Sequence, residues 1–181
     1  MKTLQKVALG GGCHWCTEAV FQSLKGVYKV EQGFVAPLAD EIEFSEGVLI
    51  HYDALCISLQ ELITVHLYTH ASTKAHSMRH KYRSAIYVFS TDDSSKATDS
   101  IKEAQKDFPE KIITQVMNFG AFRLSKEEFW NYYYTNTQKP FCETHIAPKL
   151  SVLLKRFSKN VNQKVLEINS SGEVFQKFVA F

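Results

Sequence analysis

Apolar positions follow two periods along the chain, and the changes between these periods predict the order of its elements. Alternating apolar residues and β-branched runs predict strands at residues 5–9, 27–35, 48–52, 85–89 and 112–117. Apolar residues recurring every three or four positions predict helices at residues 13–24, 58–66, 94–107, 125–134 and 148–157. Strands and helices mix without strict alternation, which predicts an α+β layered fold and not a doubly wound sheet.

Helix starts carry recognisable capping signals. Ser58 with Glu61 has the spacing of a capping box, and Ser125 with Glu128 repeats that spacing. Pro148 stands where a first helical turn tolerates proline. The last stretch, residues 165–181, is predicted to form a hairpin around a Ser-Gly pair.

Composition narrows the class of protein. The chain has 181 residues, 45% of them hydrophobic and 22% charged, which indicates one globular domain and excludes a disordered or coiled-coil chain. The net charge of +2 gives no reason to propose a nucleic-acid or membrane-surface role. We expect a cytoplasmic protein, because the N-terminus lacks a long apolar stretch and no run approaches the roughly 18 residues of a membrane span.

The run Gly10-Gly11-Gly12-Cys13-His14-Trp15-Cys16 is the strongest chemical signal. A cysteine between a glycine turn and a helix start meets unpaired N–H groups, which lower a thiol pKa from about 8.5. Cys16 follows one helical turn later, within reach of Cys13. Two simpler interpretations are a pair of small residues packing a helix start and a thioredoxin-like redox motif. No second cysteine or histidine pair completes a zinc spacing with these two, so we expect no bound metal.

The residues around this motif resemble the A-type peptide methionine sulfoxide reductases, whose signature is Gly-Cys-Phe-Trp-x-x-Glu. Here the signature stands as residues 12–18, ending in Glu18. Further segments match in the family's order, at residues 33–34, 45–48, 51–53, 57–62, 82–87, 141–142 and 146–150. The resemblance therefore covers most of the chain and predicts a catalytic domain over residues 1–157, followed by an extension over residues 158–181.

The resemblance implies an α+β, ferredoxin-like two-layer α/β sandwich with a mixed sheet. It also implies thiol-dependent reduction of methionine S-sulfoxide, free or in proteins. The catalytic residues would be Cys13, Glu46 and Tyr82, and the substrate-binding residues His14, Trp15 and Phe34. The resolving cysteine would be Cys16 or Cys142. No cofactor would be bound, thioredoxin or another dithiol would act as reductant, and the protein would be a monomer. Cys13 would end the first step as a sulfenic acid.

The chain departs from the family around the substrate. His14 replaces a phenylalanine of the methyl pocket, and the stretch between Gly33 and Glu46 is shorter by about ten residues than in the family, which removes a second tyrosine. An Arg-Gln-Gly-x-Asp stretch before Tyr82 is also absent. Two alternatives therefore remain: a divergent thiol reductase of another sulfoxide or disulfide, and a binding module that keeps the fold without turnover.

Overall fold

The structure is a computed structural model that describes residues 4–38 and 43–163. Its strands are β1 (Gln5–Gly10), β2 (Val27–Pro37), β3 (Ser45–Tyr52), β4 (Ala85–Val88) and β5 (Gln115–Leu124). Its α-helices are α1 (His14–Gln22), α2 (Leu59–Thr69), α3 (Thr91–Ala104), α4 (Tyr132–Thr135) and α5 (Ala147–Arg156). Short 3₁₀ turns lie at Ser77–His80, Gln105–Asp107 and Glu127–Phe129, and a π-helical turn at Cys142–Ile146 precedes α5.

The strand order confirms the α+β fold with a mixed sheet. The first six elements follow the order β1, α1, β2, β3, α2, β4, and the strands lie side by side as β4-β1-β3-β2, all antiparallel. This is the arrangement of a ferredoxin-like fold. β5 then pairs antiparallel with β2 and parallel with β4, so the mixed sheet closes on itself where a two-layer sandwich has two free edges.

The main core lies between the sheet and the helices. Leu9, Ile50 and Ile86 point from three adjacent strands towards Phe21 of α1 and Leu62 of α2, and all five are fully buried. A second, smaller cluster fills the inside of the closed sheet: Ala8, Val35, Leu49, Ala85 and Tyr87. Successive residues of the central strands are therefore buried on opposite faces, which holds β1 and β3 in one register.

One of the two predicted capping boxes is present in the structure, and the other is not. Ser58 and Glu61 form the predicted capping box, with the Glu61 amide 3.2 Å from the Ser58 hydroxyl and the Ser58 amide 2.8 Å from the Glu61 carboxylate. The prediction of a long helix capped by Ser125 is wrong. The Ser125 hydroxyl instead donates to the Gln32 side-chain oxygen at 2.8 Å, and the chain forms only a 3₁₀ turn and the four-residue α4. β5 also starts later than predicted and continues to Leu124.

The C-terminal part of the described chain returns to the end of α1. The amide of Lys25 donates to the Asn160 carbonyl at 2.7 Å, and the amide of Asn162 donates to the Ser23 carbonyl at 2.8 Å. Pro148 lies in the first turn of α5, as predicted. The hairpin predicted over residues 165–181 lies outside the described residues, and the domain boundary at residue 157 stays a prediction.

Two stacked histidines support the glycine turn between β1 and α1. His66 Nε2 donates to the Gly10 carbonyl at 2.9 Å, and the His66 and His70 rings stack at 4.1 Å. His70 Nδ1 donates to the His66 carbonyl at 2.6 Å, and its Nε2 accepts from the Ser84 hydroxyl at 2.8 Å. A Cβ at Gly11 would lie 2.4 Å from the His70 ring, so only glycine fits at this position.

Burial keeps both histidines neutral. It lowers the pKa of His66 well below its usual value and the pKa of His70 to about 4. The neutral form suits His70, because its Nε2 must keep a lone pair to accept from Ser84 while Nδ1 carries the proton. Protonation of either ring would place an unpaired charge beneath the turn that leads to Cys13.

Stability is therefore expected to fall in mild acid. The unfolded chain takes up a proton at His70 near pH 6.5, whereas the folded chain does so only near pH 4, so folding releases a proton between these values and stability rises with pH. His70 alone should contribute roughly 3 kcal/mol above pH 6.5, lost as the pH falls towards 4. Urea unfolding of wild type and His70→Gln at several pH values measures this. The variant should lose much of the slope, while His80→Gln, at an exposed histidine, should keep it; equal slopes in wild type and His70→Gln would rule the explanation out.

Candidate active site

Cys13 lies at the N-cap of α1, as the sequence predicts, directly after the glycine turn. A hydrogen bond from the Cys16 thiol lowers the pKa of Cys13 and outweighs the opposing effect of burial, and the amide of Trp15 adds to the lowering. An ionised Glu46 would act in the opposite direction, whereas the protonated form that the resemblance implies would not. Cys13 therefore combines a depressed pKa with a half-buried position, which are the properties of a reactive thiol.

Glu46 reaches the same helix start from β3. Its Oε2 accepts the His14 amide at 3.1 Å, and the residue is only 8% exposed. The first residues of β3 are held by the segment before β4, because the Glu46 amide donates to the Lys81 carbonyl at 2.9 Å. The fold therefore brings together the predicted nucleophile and the predicted acid, which are 33 positions apart in the sequence.

Lys81 contacts both Glu46 and the ring of Tyr82. Tyr82 is half-buried after the 3₁₀ turn, and its amide donates to the Met78 carbonyl at 2.9 Å. The Lys81 ammonium lies 3.4 Å from Glu46 Oε1 and 5.0 Å from the centroid of the Tyr82 ring. Its interaction with the Tyr82 hydroxyl, followed by the charge of Glu46, raises the pKa of Lys81. Sequence reasoning missed Lys81, because an exposed lysine has no distinguishing pattern; its position next to Tyr82 was the available signal.

His14 and Phe34 form one wall next to Glu46. The buried His14 ring donates from Nδ1 to the Gly33 carbonyl at 2.9 Å, and Nδ1 lies 3.8 Å from Glu46 Oε2. Phe34 meets the His14 ring edge-on, with 5.4 Å between centroids. Because a backbone carbonyl can only accept, Nδ1 carries a proton and a neutral His14 keeps its lone pair on Nε2. The residue that replaces the family's phenylalanine thus still packs as an aromatic ring.

Trp15 belongs to an aromatic cluster drawn from three segments. It stacks on Tyr132 at 4.0 Å with an interplanar angle of 7°, and meets Phe141 edge-on at 5.4 Å and Phe129 at 5.8 Å. Among the described residues, the buried Trp15 Nε1 has no hydrogen-bond partner. The aromatic run after Ser125 was visible in the sequence, but the contact between Tyr132 and Trp15 was not, because it depends on the chain returning across α1.

Glu18 holds the segment around Tyr132 that crosses back over α1. Its buried carboxylate accepts from Gln32 Nε2 at 2.8 Å, from the Asn131 amide at 3.0 Å and from the Tyr132 amide at 3.3 Å. Asn131 adopts a left-handed φ of 54°, which turns the chain into α4. Burial raises the pKa of Glu18 to about 7 against the opposing effect of these donors. The signature glutamate therefore positions the aromatic cluster and does not face the nucleophile.

Of the two predicted resolving cysteines, Cys16 contacts Cys13, and Cys142 lies near Cys16. Cys16 is buried one turn along α1, and its pKa is raised by its hydrogen bond to Cys13 and by burial. Its sulfur also lies 3.9 Å from the His145 carbonyl. Cys142 is fully buried at the start of the π-helical turn, close enough to raise the pKa of Cys16, and burial raises its own pKa. All three thiols are free, and so is the exposed Cys56.

Among residues 4–38 and 43–163, no group of three or more histidine, cysteine, aspartate or glutamate side chains is arranged to hold a metal ion. None of the helices in these ranges has both the length and the apolar character needed to cross a membrane.

Comparison with known proteins identifies the family of this chain. The family model described as peptide methionine sulfoxide reductase matches residues 5–162. The peptide methionine sulfoxide reductase MsrA of Campylobacter jejuni is 33% identical over 159 residues, covering 81% of this chain and 96% of the relative. The MsrA of Sulfolobus acidocaldarius is 28% identical over 176 residues, covering 90% of this chain and all of the relative.

Solved structures show the same fold. Reduced Mxr1 from Saccharomyces cerevisiae superposes with a TM-score of 0.69 at 21% identity, covering 78% of this chain and 91% of that chain. Methionine sulfoxide reductase A of Corynebacterium diphtheriae superposes with a TM-score of 0.64 at 19% identity, covering 75% and 76%. The family match spans nearly the whole described chain and includes the strand, glycine turn and cysteine that form the site. The chain therefore belongs to the peptide methionine sulfoxide reductases, a family of thiol-dependent oxidoreductases.

Proposed function

We propose that Cys13 reduces methionine S-sulfoxide, free or in proteins, with Glu46 as the proton donor. One observation carries the proposal: the His14 amide lies 3.1 Å from Glu46 Oε2, which places a carboxyl group directly beside the residue that follows Cys13. A thiol of depressed pKa and an acid at one helix start are the two groups that sulfoxide reduction requires.

The reaction balances with these groups. The Cys13 thiolate attacks the sulfoxide sulfur, and the electron pair of the S–O bond moves onto oxygen, which takes the proton of Glu46. The protonated oxygen then bonds to the Cys13 sulfur while the bond between the two sulfurs breaks, so that Cys13 becomes the sulfenic acid and methionine leaves as the two-electron-reduced product. Tyr82, beside Glu46, provides a hydroxyl for the sulfoxide oxygen.

The substrate pocket follows from the aromatic walls. His14 and Phe34 would form the wall of the pocket next to Glu46. Trp15, which packs beside His14 and stacks on Tyr132, would form the other wall. An apolar aromatic wall suits the methyl group of methionine sulfoxide, which cannot form hydrogen bonds. The polar atom Nδ1 of His14 is already used by Gly33, so it does not compete for the substrate oxygen.

Regeneration requires a second thiol and an external dithiol. A neighbouring thiol attacks the Cys13 sulfenic acid, a disulfide forms and water leaves. We assign Cys16 this role because its thiol already contacts Cys13, with Cys142 as the rival. Thioredoxin fits as the reductant, since the structurally similar yeast Mxr1 has been solved in complex with Trx2. A cytoplasmic location, where such dithiols keep thiols reduced, belongs to the same proposal.

Glu46→Gln should slow the reduction without disturbing the fold. The amide oxygen can still accept the His14 N–H, but no acidic proton remains, and general acid catalysis is commonly worth about 10²–10⁴ in rate. Methionine formed in a single turnover from each sulfoxide epimer measures the effect. Wild type should consume the S epimer with one methionine per protein.

The matched control is Glu31→Gln, a strand carboxylate paired with Lys29 at 2.8 Å on β2. It should leave the rate unchanged. Two results would refute the assignment: an unchanged rate in Glu46→Gln, or no methionine from either epimer with wild type.

Peptide mapping after one equivalent of methionine S-sulfoxide, without reductant, should find a Cys13–Cys16 disulfide. The thiols lie one helical turn apart, so loosening the first turn of α1 is enough to join them. Cys16→Ser should accumulate the sulfenic acid and lose thioredoxin-dependent turnover, while Cys56→Ser should behave as wild type. A Cys13–Cys142 disulfide in wild type, with full turnover in Cys16→Ser, would transfer the resolving role to Cys142.

A further inference from the structure

The main chain of Lys81 is held rigidly against the active site. Its carbonyl accepts the Glu46 amide at 2.9 Å and the Ser45 hydroxyl at 2.8 Å, and the Ser45 hydroxyl in turn accepts the Arg83 amide at 2.7 Å. These three hydrogen bonds join the segment before β4 to the start of β3. The Lys81 side chain therefore starts from a fixed point beside the acid, although its outer atoms are exposed.

The ammonium group lies between the two groups assigned to the sulfoxide oxygen. Nζ is 3.4 Å from Glu46 Oε1 and 5.0 Å from the centroid of the Tyr82 ring. The lysine side chain is 48% exposed while the Glu46 side chain is 9% exposed, so the ammonium covers the solvent side of a buried carboxyl group. A contact between two surface side chains would contribute little, but here one partner is the buried carboxyl group proposed as the acid.

We propose that Lys81 is an oxygen-binding residue of this reductase, whose ammonium group donates a hydrogen bond to the sulfoxide oxygen next to Tyr82. This inference rests on the proposed reaction at Cys13. Nothing in the signature motif points to residue 81, and the assignment comes from its position between Glu46 and Tyr82.

The Lys81 ammonium would stabilise negative charge at two points of the proposed reaction. As the Cys13 sulfur bonds to the sulfoxide sulfur, negative charge grows on the oxygen, and a charged donor stabilises it more strongly than a neutral hydroxyl. Once the Glu46 proton has passed to that oxygen, the carboxylate that remains is paired with Lys81. Lys81 keeps its own proton throughout, so the balance of the reaction is unchanged.

The exposure of the Lys81 ammonium sets how much rate its removal should cost. Removing one buried oxyanion donor costs about 10²–10³ in rate, and a half-exposed ammonium that water can partly replace should be worth less. Lys81→Met keeps the length of the side chain and removes the charge. Its single-turnover rate with methionine S-sulfoxide should fall roughly ten- to hundred-fold, while Lys81→Arg should restore most of it.

Lys102→Met in α3 is the matched control, because its ammonium also pairs with a carboxylate, Asp99, at 3.4 Å. It should react at the wild-type rate. A Lys81→Met rate equal to wild type, or a loss of equal size in Lys102→Met, would overturn the proposal.

A binding measurement separates oxygen recognition from turnover. In a Cys13→Ser background, calorimetry with N-acetyl-methionine S-sulfoxide amide and with N-acetyl-methionine amide compares two neutral ligands that differ by one oxygen. Adding Lys81→Met should weaken the sulfoxide several-fold and leave the sulfide unchanged. Equal weakening of both ligands would mean that Lys81 only shapes the pocket. If wild type fails to reduce any sulfoxide, the proposed function fails, yet the binding comparison still reports whether Lys81 contacts the oxygen.

Discussion

The hydrogen bond from the His14 amide to Glu46 is the interaction on which the site depends. A helix start leaves N–H groups without partners within the helix. The first N–H of α1, that of His14, is paired with the carboxyl group of Glu46 from another strand, at 3.1 Å. The same contact completes α1, holds the proposed acid next to the proposed nucleophile and ties β3 to the glycine turn. The hydrogen bond between His14 and Glu46 therefore both stabilises the helix start and assembles the site.

The strands and side chains around this contact hold it in place. β3 pairs with β1 on one side and β2 on the other, so Glu46 has a fixed register opposite Phe34. Beneath the turn, His66 holds the Gly10 carbonyl and His70 packs where a Cβ at Gly11 would lie. On the far side, Glu18 holds the turn that brings Tyr132 onto Trp15. Each support involves a buried polar group that is paired, which is how interiors accommodate such groups.

The sequence predicted those features that depend on neighbouring residues. The strand, glycine turn and helix around Cys13 are local, and so is the capping box of Ser58, and both are present in the structure. The false cap at Ser125 shows the limit. Its hydroxyl has a better use in the pair with Gln32, 93 positions away, and tertiary contact overrides the local signal. Lys81 escaped notice for the same reason, because only the pairing of β3 with the segment before β4 brings it to Glu46.

The resemblance to a family added the roles of Glu46 and Tyr82, which no spacing rule could have connected to Cys13. The structure adds the physical reason why these residues meet. It also shows two side chains beside Glu46: a histidine whose ring packs on Phe34 and keeps Nδ1 on the backbone, and a half-exposed lysine. The predicted nucleophile and the predicted acid therefore stay together at one helix start.

The ionisation of Cys13 tests the central claim most directly. Thiolate absorbance, or the rate of alkylation by iodoacetamide, can be followed against pH in wild type, Cys13→Ser and Cys16→Ala. Wild type should show a titration below that of a free thiol, about 8.5, that disappears in Cys13→Ser. Cys16→Ala should move this titration to higher pH, because the hydrogen bond that stabilises the thiolate is lost. A wild-type titration at or above the free-thiol value, unaffected by Cys16→Ala, would contradict the account.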